Sequence, residues 1–210
     1  DKEAFVKFLG MVQYPEAVDY LVELSTITNN ESLRISCIKS LGLIGDKTRA
    51  PLFRKYLNME LAADNISQDL VVALSESLGL LKDDFSFPIF EQMLQDNDWP
   101  LRYAAAVGLG FLGLGGEALA EALLKERNNE TKIAMLDALG KIGNVSYVDV
   151  IVKFLDQTGT PYEDRICARF ARYKRYQDVK ICDMAKEALI NIGEDAIPYL
   201  IAHFQDEDTN

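Results

Sequence analysis

The sequence predicts an all-α solenoid, a single domain over residues 1–210 built from about six stacked helix pairs, and three observations carry that expectation. A leucine–glycine phrase recurs at Leu9-Gly10, Leu41-Gly42, Leu78-Gly79, Leu109-Gly110 and Leu139-Gly140, with glycines 32, 37, 31 and 30 residues apart. Self-similarity at such a period marks a repeat array. Within each phrase apolar residues return at helical spacing, as in Leu101, Ala104, Ala105, Leu109 and Leu112. A further glycine, Gly45, Gly113, Gly143 or Gly193, then stands where the helix has to stop, since glycine takes the left-handed conformation past a helix end without steric cost.

Each repeat reads as a longer first helix and a shorter second one. Asn30-Glu31-Ser32, Asp98-Trp99-Pro100 and Asn129-Glu130-Thr131 open first helices, because Asn and Asp side chains accept from the orphan N–H groups of a first turn and Pro100 has no N–H to lose there. The second helices are expected over Pro15–Leu24, Arg49–Leu57, Pro88–Leu94, Glu117–Leu124, Val148–Leu155 and Ile197–Phe204. Ala188-Leu189-Ile190-Asn191-Ile192-Gly193 repeats the phrase a sixth time with isoleucine in place of the inner glycine. Gly42, Gly79, Gly110 and Gly140 fall inside their helices, where each costs up to about 1 kcal/mol relative to alanine. Close packing of the two helices of one repeat is the compensating gain expected.

The stretch Asp98-Trp99-Pro100-Leu101-Arg102-Tyr103-Ala104-Ala105-Ala106-Val107-Gly108-Leu109-Gly110-Phe111-Leu112-Gly113 resembles the short HEAT-like repeat of the phycobilisome-lyase type. The resemblance covers nearly the whole chain and implies a right-handed superhelix. In that family an arginine follows the acidic helix start, and here its column holds Arg34, Arg102 and Lys132, but Val71 and Cys182 in other units. An arginine there is expected to tie neighbouring repeats through carboxylates or helix-end carbonyls, leaving the third and sixth units looser. The first unit lacks the terminal glycine and carries Gln13 instead, which fits either an incomplete cap or a unit cut from a longer array.

One segment breaks the period. Gly140 and Ile190 stand 50 residues apart, and the excess, an insertion at about 157–177, precedes the last repeat. From Pro161 to Lys180 there are six basic residues and three acidic ones, in a chain of net charge -11. Arg165, Arg169 and Arg172 step beside Ile166, Phe170 and Tyr173, a basic stripe next to an apolar one. The same spacing also fits a helix docked on the solenoid with its arginines paired to acidic neighbours. Insertions in such arrays often project from the binding face.

Most other chemistry is excluded or weak. The acidic balance repels phosphate backbones, and no nucleic-acid partner is expected. The uncharged stretch Ala104 to Gly116 is far shorter than the ~18 apolar residues of a membrane span. Cys37, Cys167 and Cys182 lack CxxC spacing and read as buried thiols, so no metal site is expected. Gly108-Leu109-Gly110-Phe111-Leu112-Gly113 matches GxGxxG, but its glycines lie along a helix instead of opening one after a strand, so no nucleotide cofactor is expected. The sequons at Asn30, Asn65, Asn129 and Asn144 fall mostly where caps belong. His203, the single histidine, has no second histidine or nearby nucleophile in sequence, so no catalytic residue is assigned.

A long surface without a catalytic cleft makes binding the default. The residues favour a non-catalytic protein-interaction scaffold over an enzyme, with a protein or peptide partner, acidic or phosphorylated, held by Arg165, Arg169, Phe170, Arg172, Tyr173 and Arg175. A cytoplasmic location is the matching expectation, with export left open because Asp1 suggests a processed or excised chain. The resemblance implies two alternatives: a bilin lyase attaching a tetrapyrrole to a protein cysteine, which needs a bilin-sized pocket and an apoprotein, and a nucleic-acid-binding HEAT-like domain.

Overall fold

A computed structural model describes residues 1–157 and 179–207. Six first helices run over α1 (Lys2–Met11), α3 (Glu31–Ile44), α5 (Gln68–Leu80), α7 (Trp99–Leu112), α9 (Asn129–Ile142) and α11 (Ile181–Ile192). The second helices are α2 (Val18–Ile27), α4 (Ala50–Leu61), α6 (Phe87–Leu94), α8 (Gly116–Lys125), α10 (Val148–Val152) and α12 (Ile197–Glu207). No strand occurs among the described residues. The expected six-pair α-solenoid is therefore present, with second helices that start and end a few residues away from their expected limits.

The first helices form one layer in which α1, α3, α5, α7, α9 and α11 pack successively side by side. Each of α2, α4, α6 and α8 lies in a second layer, against the first helix of the following repeat. The core runs between the layers as a continuous column that includes Leu21, Ile38, Phe53, Leu74, Phe90, Leu109, Leu123, Leu136 and Ile151.

The inner glycines do not serve the contact expected of them. A methyl carbon placed on Gly10 would stand 2.7 Å from the Ser40 Cα, on Gly42 2.9 Å from the Ser77 Cα, and on Gly110 2.9 Å from the Ala138 Cα. At Gly79 it would meet the Gly108 carbonyl at 2.5 Å. These contacts join first helices of successive repeats, which corrects the expectation of packing within one repeat. The facing residue always sits two positions before the next unit's own glycine or Ile190, and there it is Ser40, Ser77, Gly108, Ala138 or Ala188. Twice it adds a bond: Ser40 Oγ donates to the Val6 carbonyl at 2.9 Å and Ser77 Oγ to the Ile38 carbonyl at 3.0 Å.

Helix ends follow the sequence in most places and depart from it at Gly193, at Asn129 and at Asp98, which precedes α7 without a side-chain capping bond. Gly45, Gly113 and Gly143 are left-handed, whereas Gly193 combines φ 84° with ψ -156°. Where glycine is missing, Gln13 and Lys82 still take φ 51° and 55°. Lys82 then donates from Nζ to the Phe111 and Leu112 carbonyls at the end of α7. Asn30 caps α3 by accepting from the Leu33 N–H, while α9 is capped by Asn128, which accepts from the Thr131 N–H, one residue before the expected Asn129.

Candidate functional site

The arginine column does what the repeat pattern requires of it. Arg34 projects from α3 and donates from Nε to the Ser25 carbonyl at 3.2 Å and from Nη2 to the Thr28 carbonyl at 2.9 Å. Those carbonyls end α2, so the guanidinium closes the preceding repeat onto the next. Arg102, on α7, donates from Nη1 to the Asp96 and Asn97 carbonyls at 2.8 Å, just beyond the end of α6. It also forms a two-point pair with Glu126, Nε to Oε2 at 2.7 Å and Nη2 to Oε1 at 2.9 Å.

Glu126 is held on several sides. Its side chain is 1% exposed, and Oε1 also accepts the backbone N–H groups of Arg127 and Asn128. Burial acts to raise its pKa, but the bonds from Arg102 and the two N–H groups outweigh it and hold the carboxyl below its usual range. The same pair raises the pKa of Arg102. Two-point guanidinium–carboxylate pairing of this kind fixes both groups in one plane. A concavity of about 420 Å³ lies over the pair, with Lys125 and Arg127 at its wall.

The second repeat contains the counterpart of this arrangement in an open form. Glu60 follows the buried Leu57 of α4 by three positions, as Glu126 follows the buried Leu123 of α8. Glu60 Oε1 accepts the N–H of Ser67, the N-cap of α5, as Glu126 Oε1 accepts that of Asn128, the N-cap of α9. Yet Arg34 and Glu60 make no ion pair, and both line a cavity of about 250 Å³ whose other walls are Ser25, Thr26, Ile38, Leu70, Tyr56 and Met59. Ile38 and Leu70 are buried, while Met59 is 60% exposed at the mouth.

A third concavity, of about 420 Å³, lies on the first-helix layer. Glu3 of α1 there accepts from Lys7 Nζ at 2.6 Å and from Ser32 Oγ at 3.1 Å. Its polar groups serve one another across α1 and α3, as in an ordinary solvated face.

The residues singled out from sequence fall as follows. Arg165, Arg169, Phe170, Arg172, Tyr173 and Arg175, like Cys167, lie outside the described residues. Cys37 and Cys182 are buried free thiols, and burial pushes the Cys37 thiol up to about 11. No cluster of metal-binding side chains occurs among the described residues, and no described helix is long and apolar enough to cross a membrane. The six-residue glycine phrase runs along α7 and ends it at Gly113. Glu60, Tyr56 and Met59 were not singled out from sequence, because the glutamate stands 26 residues from Arg34 and Glu126 stands 24 from Arg102. No local pattern joins residues so spaced.

No family model and no curated relative matches the chain. A solved structure does: the complex of CpcE and CpcF of phycocyanin lyase from Nostoc sp. PCC7120, at 18% identity and a TM-score of 0.54, over 89% of this chain and 72% of that one. At that identity the likeness establishes the fold, the HEAT-like repeat solenoid of the phycobilisome-lyase type. It also overturns the expectation of a non-catalytic scaffold. That expectation rested on an array offering surface without a cleft, and the same architecture is found in a lyase complex.

Proposed function

We propose that this chain is a subunit of a bilin-lyase-type enzyme, which holds an open-chain tetrapyrrole and presents it to a cysteine of a protein partner. The fold shared with the phycocyanin lyase complex carries the proposal. The walls of the second-repeat cavity support it, since apolar side chains beside one guanidinium and one carboxylate suit a flat conjugated molecule with a few polar handles.

The chemistry asks little of the chain in the way of acids and bases. Joining in the lyase sense adds a thiol across a carbon–carbon double bond: sulfur bonds to one carbon, the proton goes to its neighbour, and nothing leaves. Binding and orienting the two reactants supply most of the rate such a step needs. The thiol belongs to the apoprotein in this scheme; the cysteines among the described residues, Cys37 and Cys182, are buried.

The neighbour is a complex of two different subunits, and a protein partner is part of the proposal. The basic stripe Arg165, Arg169 and Arg172, with Phe170, Tyr173 and Arg175, is the sequence segment best suited to an acidic partner surface. A cytoplasmic location goes with it, since two unpaired buried thiols suit a reducing compartment.

Titration of biliverdin into the chain, followed by visible absorbance and circular dichroism, tests the reading. A red-shifted, optically active bilin band is expected. With a cysteine-bearing phycocyanin apo-subunit and a partner subunit added, a bilin adduct that survives denaturation is expected as well. An unchanged bilin spectrum together with no adduct would overturn it.

A further inference from the structure

The two arginine–glutamate constellations of this chain are built alike and finished differently. In the fourth repeat four of the five N–H donors of Arg102 are used, two on Nη1 by carbonyls and one each on Nε and Nη2 by the Glu126 carboxylate. In the second repeat Arg34 spends Nε and Nη2 on the α2 carbonyls and Glu60 spends Oε1 on the Ser67 N–H. The remaining amino group of Arg34 and the remaining oxygen of Glu60 have no protein partner among the described residues. Both side chains line one cavity, so a donor and an acceptor of opposite charge face the same space unpaired.

Neither free atom is sealed from solvent, so the open pair is hydrated in the chain alone, and a ligand that matches both groups would exchange that water for two charge-assisted bonds of the kind the fourth repeat makes internally. We infer that the cavity between Arg34 and Glu60 is a binding site for a planar carboxylate that also carries ring N–H donors. The inference rests on the tetrapyrrole reading and names the residues that would hold one end of that molecule. The ligand carboxylate takes the free amino group of Arg34, a ring N–H donates to the free oxygen of Glu60, and the ring lies against Ile38, Leu70 and Tyr56 with Met59 over it.

Charge and size select the class. A simple anion gains from Arg34 but faces repulsion from Glu60, and a simple cation meets the reverse, so a ligand with both functions is favoured over either. Sites that enclose a drug-sized ligand measure ~300–1,000 Å³. At about 250 Å³ the cavity takes a ring or two with a short acid side chain and leaves the rest of a longer molecule outside.

The test uses the intact chain and three probes: biliverdin, its dimethyl ester, and indole-3-propionate, which is one flat N–H-bearing ring system with a propionate. Binding of biliverdin and indole-3-propionate is expected, with the ester weaker by about tenfold or more, the size of a lost charge-assisted bond. Arg34→Gln and Glu60→Gln should each weaken both acids by a similar factor. Because Arg34→Gln also loosens the end of α2, the ester comparison on the unaltered chain and the Glu60→Gln variant stand independently of its folding. Biliverdin bound with no difference between acid and ester, and none in either variant, overturns the site while the lyase reading stands. Indole-3-propionate bound through Arg34 with biliverdin ignored supports the site and sinks the tetrapyrrole reading. No binding of any probe overturns the site.

Discussion

Gly140 of α9 and Ala188 of α11 approach so closely that a methyl carbon on the glycine would stand 2.7 Å from the Ala188 Cα. The obstacle is backbone, which cannot swing aside as a long side chain can. Replacing a mid-helix glycine by alanine ordinarily gains about 1 kcal/mol. Overpacking at a rigid contact costs ~1–3 kcal/mol. Gly140→Ala is therefore expected to be destabilising, and Gly140→Leu more so, in urea denaturation. A Gly140→Ala variant as stable as the parent would mean that the two helices separate without penalty.

Breaking the buried pair of the fourth repeat has a larger expected effect. Glu126→Ala leaves the Arg102 guanidinium facing carbonyls alone, in a place where its side chain is 20% exposed. Removing one partner of such a pair typically costs ~3–5 kcal/mol. The Glu126 carboxyl is held below its usual range in the fold, so its contribution is complete above the unfolded value and fades as pH falls through the folded one. The gap in stability between parent and variant should accordingly narrow in acid. A gap unchanged down to strongly acid pH would remove the carboxylate from the account.

Much of this architecture was legible as period, and little of it as contact. The phrase ending in Gly42, Gly110 or Gly140 announced helices, and the glycines signalled that something approaches closely. A sequence shows that a residue is small, not which surface it faces, and the facing residues Ser40, Ala138 and Ala188 belong to another helix and stand 30, 28 and 48 residues after Gly10, Gly110 and Gly140. Arg34 and Arg102 were legible as repeat ties for the same reason, since both occupy one column. Their carboxylates were not, because Glu60 and Glu126 are separated from them by a whole helix and its loops, and the differing state of the two pairs has no sequence signature at all.

Gln13 marks a place where the repeat's own solution is missing. It holds φ 51° at the position that Gly45, Gly113 and Gly143 fill elsewhere, and it is exposed. A non-glycine residue in the left-handed region costs roughly 1–2 kcal/mol. Part of that gain is returned through the greater freedom of glycine in the unfolded chain. Gln13→Gly should raise stability by about 0.5–1 kcal/mol, a rise of a few degrees or less in Tm at this size. Lys82→Gly is the contrasting variant, because it relieves the same strain but removes the Nζ donor to the α7 carbonyls. It should gain less than Gln13→Gly, and equal gains would mean that the lysine bond contributes nothing.

Glu130 contributes to the pH response of the fold in the opposite sense from Glu126. It sits in the first turn of α9, 3% exposed, and burial pushes its pKa up to about 7. An unfolded glutamate titrates near ~4.3. Between those two values the folded chain keeps the proton and the unfolded chain releases it, so rising pH favours unfolding until the folded group ionises as well. The stability linked to Glu130 is complete below the unfolded value and lost as pH climbs through the folded one, an effect on the order of 3 kcal/mol for a shift of this size. Glu130→Gln keeps the neutral shape at every pH. It should match the parent near pH 4 and exceed it at pH 8, when both are unfolded by urea at each pH. A difference that stays flat from acid to alkaline solution would show that Glu130 ionises in the fold as freely as it does outside it.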